Sequence, residues 1–234
     1  FAHHDTIFPL FLFIAGVSFP YSVAKQRAGG MSEGRIYAKI VRRGLTLVVL
    51  GMVYNGLFKL DFENLRIASV LGRIGLAWSI AAVLYLNFGV KTRAAIAVAV
   101  LAGYGALSAL VEGNLAGYID RQFLPGKLIY GSFDPEGLLS TVPAVVTAML
   151  GMFTGEFVRR GDIRGGRKTL WMAAAAAALL AAGLAFSGVL PVNKKLWSST
   201  FVCVVGAYSL GMFALFYYLI DVRGWKRWTF FFRV

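Results

Sequence analysis

Two arginines, Arg66 and Arg73, are the first candidates for chemistry in this 234-residue sequence. They are seven residues apart, so on one continuous helix they share a face, and Arg73 would lie about 9 Å inside the apolar run that begins at Ile67. Two guanidinium groups on one face can hold a phosphate or a carboxylate through paired hydrogen bonds. An ionisable residue within an apolar run is by default a functional candidate. Two alternatives stay open, extension to the lipid headgroups or pairing with an acid; the acids in question are Asp134, Glu136 and Asp61.

The segment Asp134-Pro135-Glu136-Gly137 precedes another apolar run. Aspartate at the N-cap with proline at the first helical position is a common helix start, which would account for Asp134. It does not account for Glu136, a second carboxylate at the edge of the apolar region. Two carboxylates in a partly dry cavity can have separated pKa values and act as acid and base. We therefore predict a catalytic role for this pair.

Polar residues at the ends of other apolar runs are weaker candidates. In His3-His4-Asp5, neighbouring side chains diverge on a helix, so we expect an ordinary polar helix start for the histidines. Arg42-Arg43 is either a topology anchor or a phosphate contact. Asn193 and Lys194 are either a cap and a headgroup contact or part of a site, and Trp197 fits an aromatic belt.

The amino-acid composition indicates the kind of structure that holds these residues in place. The sequence is 58% hydrophobic and 15% charged, with a mean hydropathy of +0.68. These values exclude disorder, make a soluble globule untenable and indicate an integral membrane protein. The lone Cys203 excludes an internal disulfide framework and a cysteine-based zinc site. No nucleotide-binding glycine motif, serine elbow or internal repeat is present.

Long apolar runs predict an all-α, polytopic transmembrane helix bundle with about seven spanning helices. We treat residues 1–234 as a single transmembrane domain, incomplete at both ends. The predicted spans are Thr6–Ala24, Gly44–Phe58, Ile67–Phe88, Ala94–Val111, Leu138–Val158, Thr169–Leu190 and Leu196–Ile220.

The charges alternate between the connecting segments. Those after the first, third, fifth and seventh spans carry 17 of the 24 basic residues, and the other set carries six. The positive-inside rule then places the first set in the cytoplasm, residue 1 outside and residue 234 inside. Seven of the eleven acids lie on the other side, which is where we expect any chemistry. The formal charge of +13 is thus a topology signal, and nucleic acid is not an expected partner.

Several segments, in this order, resemble one family, the heparan-alpha-glucosaminide N-acetyltransferases, including its bacterial members. The resemblance covers nearly the whole chain, and its most specific parts are the DPEG segment at 134–137 and the NKxLW segment at 193–197. Its other parts are Asp5–Ser18, Arg42-Arg43-Gly44, Leu65–Ile74 and Gly117–Arg121.

This resemblance implies a membrane acyltransferase that moves an acetyl group from acetyl-CoA to an amino sugar or glycan on the extracytoplasmic side. It implies no metal, and a homodimer in the lipid bilayer of a bacterial inner membrane. The family's catalytic histidine would lie upstream of Phe1, so Asp5, Asp134 and Glu136 are the catalytic candidates within this sequence. The predicted substrate- or cofactor-binding residues are Arg66, Arg73, Asp120, Asn193, Lys194, Arg42 and Arg43.

Two other functions stay open on the residues alone. A transporter for an anionic or sugar-like solute would use Arg73 and the acids as a binding site near the membrane midplane. A purely structural membrane subunit would leave Arg73 without a role.

Overall fold

A computed structural model of the protein describes residues 3–110 and 115–226. Within these ranges the chain forms seven long helices and one short helix, with single helical turns at His3–Thr6, Leu57–Lys59 and Tyr218–Val222. The helices are α1 (Ile7–Ala28), α2 (Glu33–Tyr54), α3 (Val70–Asn87), α4 (Val90–Leu110), α5 (Leu115–Phe123), α6 (Leu138–Arg159), α7 (Gly165–Ala185) and α8 (Ser199–Tyr217). The predicted positions of residues 1 and 234, and the predicted external Glu112, lie outside these ranges.

The predicted fold class, an all-α polytopic bundle, is confirmed. In the part of the chain that the structure describes, six helices are long and apolar enough to cross a membrane, namely α1, α3, α4, α6, α7 and α8 with its final turn. Helix α2 has the same length as α1, at 22 residues, but its first half carries four basic side chains. The predicted span Gly44–Phe58 is therefore the second half of a longer helix, which ends at Tyr54.

Helix α3 begins later than the sequence predicts. It starts at Val70, where the Ser69 side chain accepts the N–H of Gly72 as an N-cap. Arg66 precedes the helix in an extended segment, so the prediction that Arg66 and Arg73 share a helix face is wrong. Arg73 lies in the first turn of α3, about 4.5 Å along the helix axis rather than about 9 Å.

Helices α1 and α6 form the centre of the bundle. They run in the same direction and touch along a line of glycines, as the Gly151-x-x-x-Gly155 spacing predicts. A methyl group built on Gly151 would lie 2.0 Å from the carbonyl oxygen of Phe13, and one on Gly155 would lie 2.2 Å from that of Val17. Helix α6 is buried over most of its length, so it can fix the geometry of the loop that precedes it.

The connecting segments divide the bundle into two chemically different ends. One end holds six of the eleven acids, offset by six basic residues, and we call it the acidic end. It consists of the turn before α1, residues 55–69, residues 115–137 and residues 186–198. The basic end consists of residues 29–32, 88–89 and 160–164 with the adjoining helix ends. Most of the predicted site residues belong to the acidic end, and only Arg42 and Arg43 lie towards the basic end.

Candidate active site at the acidic end

The loop between α5 and α6 carries Asp134 and Glu136 to Arg66. Arg66 is held in extended conformation by an antiparallel bridge to Gly126, in the same loop. The Asn55 side chain, at the end of α2, donates to the Arg66 carbonyl at 2.8 Å. Three separate segments of the acidic end therefore meet at Arg66.

Arg66 makes a two-pronged ion pair with Asp134 and a further contact with Glu136. Its Nε donates to Oδ2 of Asp134 at 2.7 Å, and its Nη2 donates to Oδ1 at 2.6 Å. The same Nη2 donates to Glu136. The Asp134 side chain is fully buried, whereas Arg66 is 21% and Glu136 15% exposed. The pairing alternative that the sequence left open is the one observed, and Glu136 is the acid of this pair that solvent reaches.

Arg66 and Asp134 stabilise the charged form of each other. Burial alone would raise the pKa of the Asp134 carboxyl, but the hydrogen bonds from Arg66 and from the Glu136 N–H outweigh burial and hold that pKa below its usual value. The hydrogen bond to Asp134 in turn raises the pKa of the Arg66 guanidinium. Both groups therefore stay charged at neutral pH, with Glu136 beside them.

Asp120, from α5, supports this loop from beneath. Its fully buried carboxylate accepts the N–H of Asp134 at 3.1 Å and the N–H of Leu138 at 3.0 Å. Leu138 is the first residue of α6 and Gly137 is its N-cap, so the prediction that Asp134 caps this helix is wrong. Burial raises the pKa of Asp120, against the effect of the two N–H donors. The contacts of Asp120 support a role in holding the loop, whereas the sequence predicted a ligand-binding one.

Arg73 lies directly below the loop and faces protein rather than lipid. It is only 2% exposed. Its Nη2 donates to the Pro135 carbonyl and to the Ser140 hydroxyl, and its guanidinium carbon lies 4.9 Å from the centre of the Trp197 ring. Arg73 therefore binds the back of the DPEG segment. Ser140 was missed, although a hydroxyl in the first turn after that segment was a visible signal.

The loop before α8 brings Lys194 to Asp5. The Lys194 ammonium lies 2.9 Å from Oδ1 of Asp5, and both side chains are partly exposed. The Asn193 carboxamide oxygen accepts the N–H groups of Lys195 at 2.9 Å and Leu196 at 3.3 Å. Asn193 therefore shapes the loop as a cap, whereas the Asp5–Lys194 pair presents charge at the surface.

Trp197 packs against both the Arg73 guanidinium and Phe8, near the start of α1. It is 1% exposed, so the predicted aromatic-belt position is wrong. Its ring packs edge-on against Phe8, at 5.0 Å between centres, and beneath the Arg73 guanidinium. Tyr104 fixes the same loop by donating to the Leu196 carbonyl at 2.5 Å. Sequence reasoning missed Tyr104, because its partner is 92 residues away along the chain.

Arg42 and Arg43 lie apart from this cluster and line a cleft of about 480 Å³ between α1, α2 and α3. The Arg43 guanidinium carbon lies 4.4 Å from the centre of the Trp78 ring, which forms part of the wall. Lys25 and Lys39 line the cleft as well, and its described lining contains no aspartate or glutamate. We call this feature the basic cleft.

The two sites differ in the ligands that they can hold. The acidic end offers the partly exposed carboxylates of Glu136 and Asp5, which can exchange protons and bind polar groups. The basic cleft offers four cations, which suit a phosphate-bearing compound. In the described part of the chain, no three histidine, cysteine, aspartate or glutamate side chains come together as metal ligands would.

Residues 1–188 match the sequence model of the catalytic region of heparan-alpha-glucosaminide N-acetyltransferase. The curated enzyme of that name from Homo sapiens is 27% identical over 97% of this chain, and that from Mus musculus is 26% identical over the same share. The chain spans 45% of the length of each of these relatives. With the match covering most of its length, the chain belongs to the heparan-alpha-glucosaminide N-acetyltransferase family.

Proposed function

We propose that this chain forms part of a membrane acyltransferase that moves an acetyl group from acetyl-CoA to the amino group of an amino sugar or glycan. Family membership supports this proposal, because the relatives are named as N-acetyltransferases of a heparan glucosaminide. The observation that carries it in the structure is the partly exposed Glu136 carboxylate beside the buried Arg66–Asp134 pair.

The chemistry requires proton transfer at the acceptor. The amine nitrogen attacks the thioester carbonyl carbon, a C–N bond forms and the C–S bond breaks. One proton leaves the nitrogen and one is taken up by the departing sulfur. Glu136 is the candidate to accept the proton, alone or by orienting another base, and Asp5 is a second carboxylate at the same end. Arg66 and Arg73 hold the DPEG segment in position for this step.

The basic cleft is the candidate site for the nucleotide end of acetyl-CoA. Its four cations match the phosphates of that molecule. Ser18 of the cleft lies 11 residues from Ile7, or about 17 Å along α1, so the extended arm of the donor would have to follow this helix towards the acidic end. The donor would therefore enter from one end and react at the other.

The charge distribution supports an orientation. We infer that the basic end faces the cytoplasm of a bacterial inner membrane and the acidic end faces outwards, because basic connecting segments are retained on the cytoplasmic side. Acetyl-CoA is then available at the basic cleft, and the glycan acceptor reaches Glu136 from outside. A homodimer remains the expectation from the family resemblance.

The test is an acetyl-transfer assay on membranes that contain the full-length protein, with labelled acetyl-CoA and glucosamine. Label that appears on the sugar supports the enzyme. Uptake of unmodified glucosamine into proteoliposomes, with no label transferred, would support the transporter alternative and overturn the proposal.

A further inference from the structure

A short turn beside the DPEG segment holds an aromatic side chain at the surface. The turn is closed by the Ser132 N–H, which donates to the Tyr130 carbonyl at 2.7 Å, and Gly131 adopts a positive φ of 69°. The Arg121 side chain holds the turn from α5 by donating to the Ser132 carbonyl at 2.8 Å. Tyr130 is 49% exposed although its backbone is fixed.

Two groups contact the Tyr130 ring. Phe133 stacks against it, with 5.0 Å between ring centres and 21° between planes. The Lys195 ammonium lies over the ring, 4.4 Å from its centre. Lys195 is itself exposed and makes no ion pair among the described residues, so water can compete for its ammonium. The contact is therefore a surface cation–π pair that another cation can replace at small cost.

The backbone next to Tyr130 is tied to the same carboxylate as the backbone of Glu136. The N–H of Ile129, the residue before Tyr130, donates to Oδ2 of Asp134 at 3.4 Å. The N–H of Glu136 donates to Oδ1 of the same carboxylate at 2.9 Å. The Asp134 carboxylate therefore holds the segments that carry Tyr130 and Glu136 together, at the end of the bundle where the acceptor would arrive.

We propose that the face of Tyr130 covered by Lys195 is the docking site for the ammonium-bearing ring of the acceptor, and that Lys195 occupies this face only when the acceptor is absent. This inference rests on the proposed function. A tyrosine face attracts a cation through its quadrupole and offers an apolar surface to the C–H groups of a sugar ring. A protonated amino sugar carries both features, and Lys195 stands in for the first.

The same arrangement accounts for product release. The docked ammonium gives one proton to Glu136 before its nitrogen attacks, and a second proton leaves with the sulfur of CoA. The product is a neutral amide, so it loses the attraction to the Tyr130 face. The Lys195 ammonium then returns to the ring. The site therefore distinguishes acceptor from product by charge.

The test measures the binding of glucosamine and of neutral N-acetylglucosamine to the full-length protein without acetyl-CoA, and the KM of both substrates in the transfer assay. Wild type is expected to bind glucosamine roughly three- to tenfold more tightly than N-acetylglucosamine. Tyr130→Ala should abolish that preference and raise the acceptor KM by a similar factor, with the KM for acetyl-CoA unchanged. Tyr130→Phe keeps the ring and should behave as wild type.

Lys195→Ala is expected to change the acceptor KM in the opposite direction to Tyr130→Ala. Removal of the competing ammonium should lower the acceptor KM, whereas a lysine that binds the acceptor directly would raise it. Tyr118→Ala, at a 57% exposed aromatic residue of α5, is the matched control and should change neither value. Equal binding of the two sugars by wild type, an unchanged preference in Tyr130→Ala, or a raised KM in Lys195→Ala would each overturn the inference. Absence of transfer by wild type would instead refute the proposed function, and the binding measurements would still decide the role of Tyr130.

Discussion

At the scale of single residues, Glu136 differs from the other acids of its cluster. Asp120 and Asp134 are fully buried and fully engaged with backbone N–H groups and Arg66, whereas Glu136 keeps some exposure to solvent. The sequence identified all three acids. It could not assign their different roles, because these depend on a tertiary contact. Asp120 accepts the N–H at the start of α6, 18 residues further along the chain.

Glu136→Gln is expected to lower acetyl transfer by about a hundredfold or more, because a carboxamide cannot accept the proton of the amine. The Arg66–Asp134 pair remains, so the melting temperature should change little. Both quantities are measured on purified full-length protein. Glu63→Gln, at an exposed acid of the same end, is the control and should leave transfer unchanged. Normal turnover by Glu136→Gln would remove this residue from the site.

Asp134→Asn is expected to cost about 3 kcal/mol of stability at pH 7, because it leaves Arg66 without its buried partner. The lowered pKa of Asp134 means that its stabilisation is complete above the usual value of about 3.9 and is lost as the pH falls through the lower, folded-state pKa. The gap in melting temperature between wild type and variant should therefore close on acidification below about pH 4. The raised pKa of Asp120 acts in the opposite direction, but it is present in both proteins. A gap that stays constant with pH would contradict the ion pair.

At the scale of elements, the apolar runs predicted the long helices to within a few residues at most ends. The mean hydropathy of a segment reflects its average surroundings, so the long helices can be located from the sequence without knowledge of tertiary contacts. The start of α3, the helix α5 and the cap of α6 were not predicted. Each depends on a tertiary contact, such as the bridge between Arg66 and Gly126, that local sequence does not encode.

The contact between α1 and α6 is the element on which the site rests. Gly151→Ala is expected to destabilise the protein by about 1–3 kcal/mol, because the new methyl group meets the backbone of Phe13 rather than a movable side chain. Gly103→Ala, in the helix α4 with open space around it, should be neutral or stabilising. Thermal unfolding in detergent measures both. Equal melting temperatures for the two variants would contradict the close packing.

At the scale of the whole molecule, the two ends carry different chemistry. The charge pattern along the sequence predicted two chemically distinct ends. It did not predict that Arg42 and Arg43 line a cleft with Trp78, because this arrangement depends on the packing of α2 along α3. An acid cluster at one end and a cationic cleft at the other suit a reaction whose donor and acceptor arrive from opposite sides.

Replacing both Arg42 and Arg43 by alanine is expected to raise the KM for acetyl-CoA by roughly tenfold or more, with the acceptor KM unchanged, because two phosphate contacts are lost. The dependence of that KM on salt concentration should weaken as well. Arg35→Ala, at an exposed arginine of α2 outside the cleft, is the control. An unchanged KM for acetyl-CoA in the double variant would exclude the basic cleft as the donor site.

The most direct test of the account is transfer across a sealed membrane. Inside-out vesicles from cells that make the full-length protein are loaded with glucosamine, and labelled acetyl-CoA is added outside, where it meets the cytoplasmic face. We expect labelled N-acetylglucosamine to accumulate inside these vesicles and not inside right-side-out vesicles treated identically. Product that forms only when donor and acceptor share one side, or glucosamine that crosses without acetylation, would contradict the account.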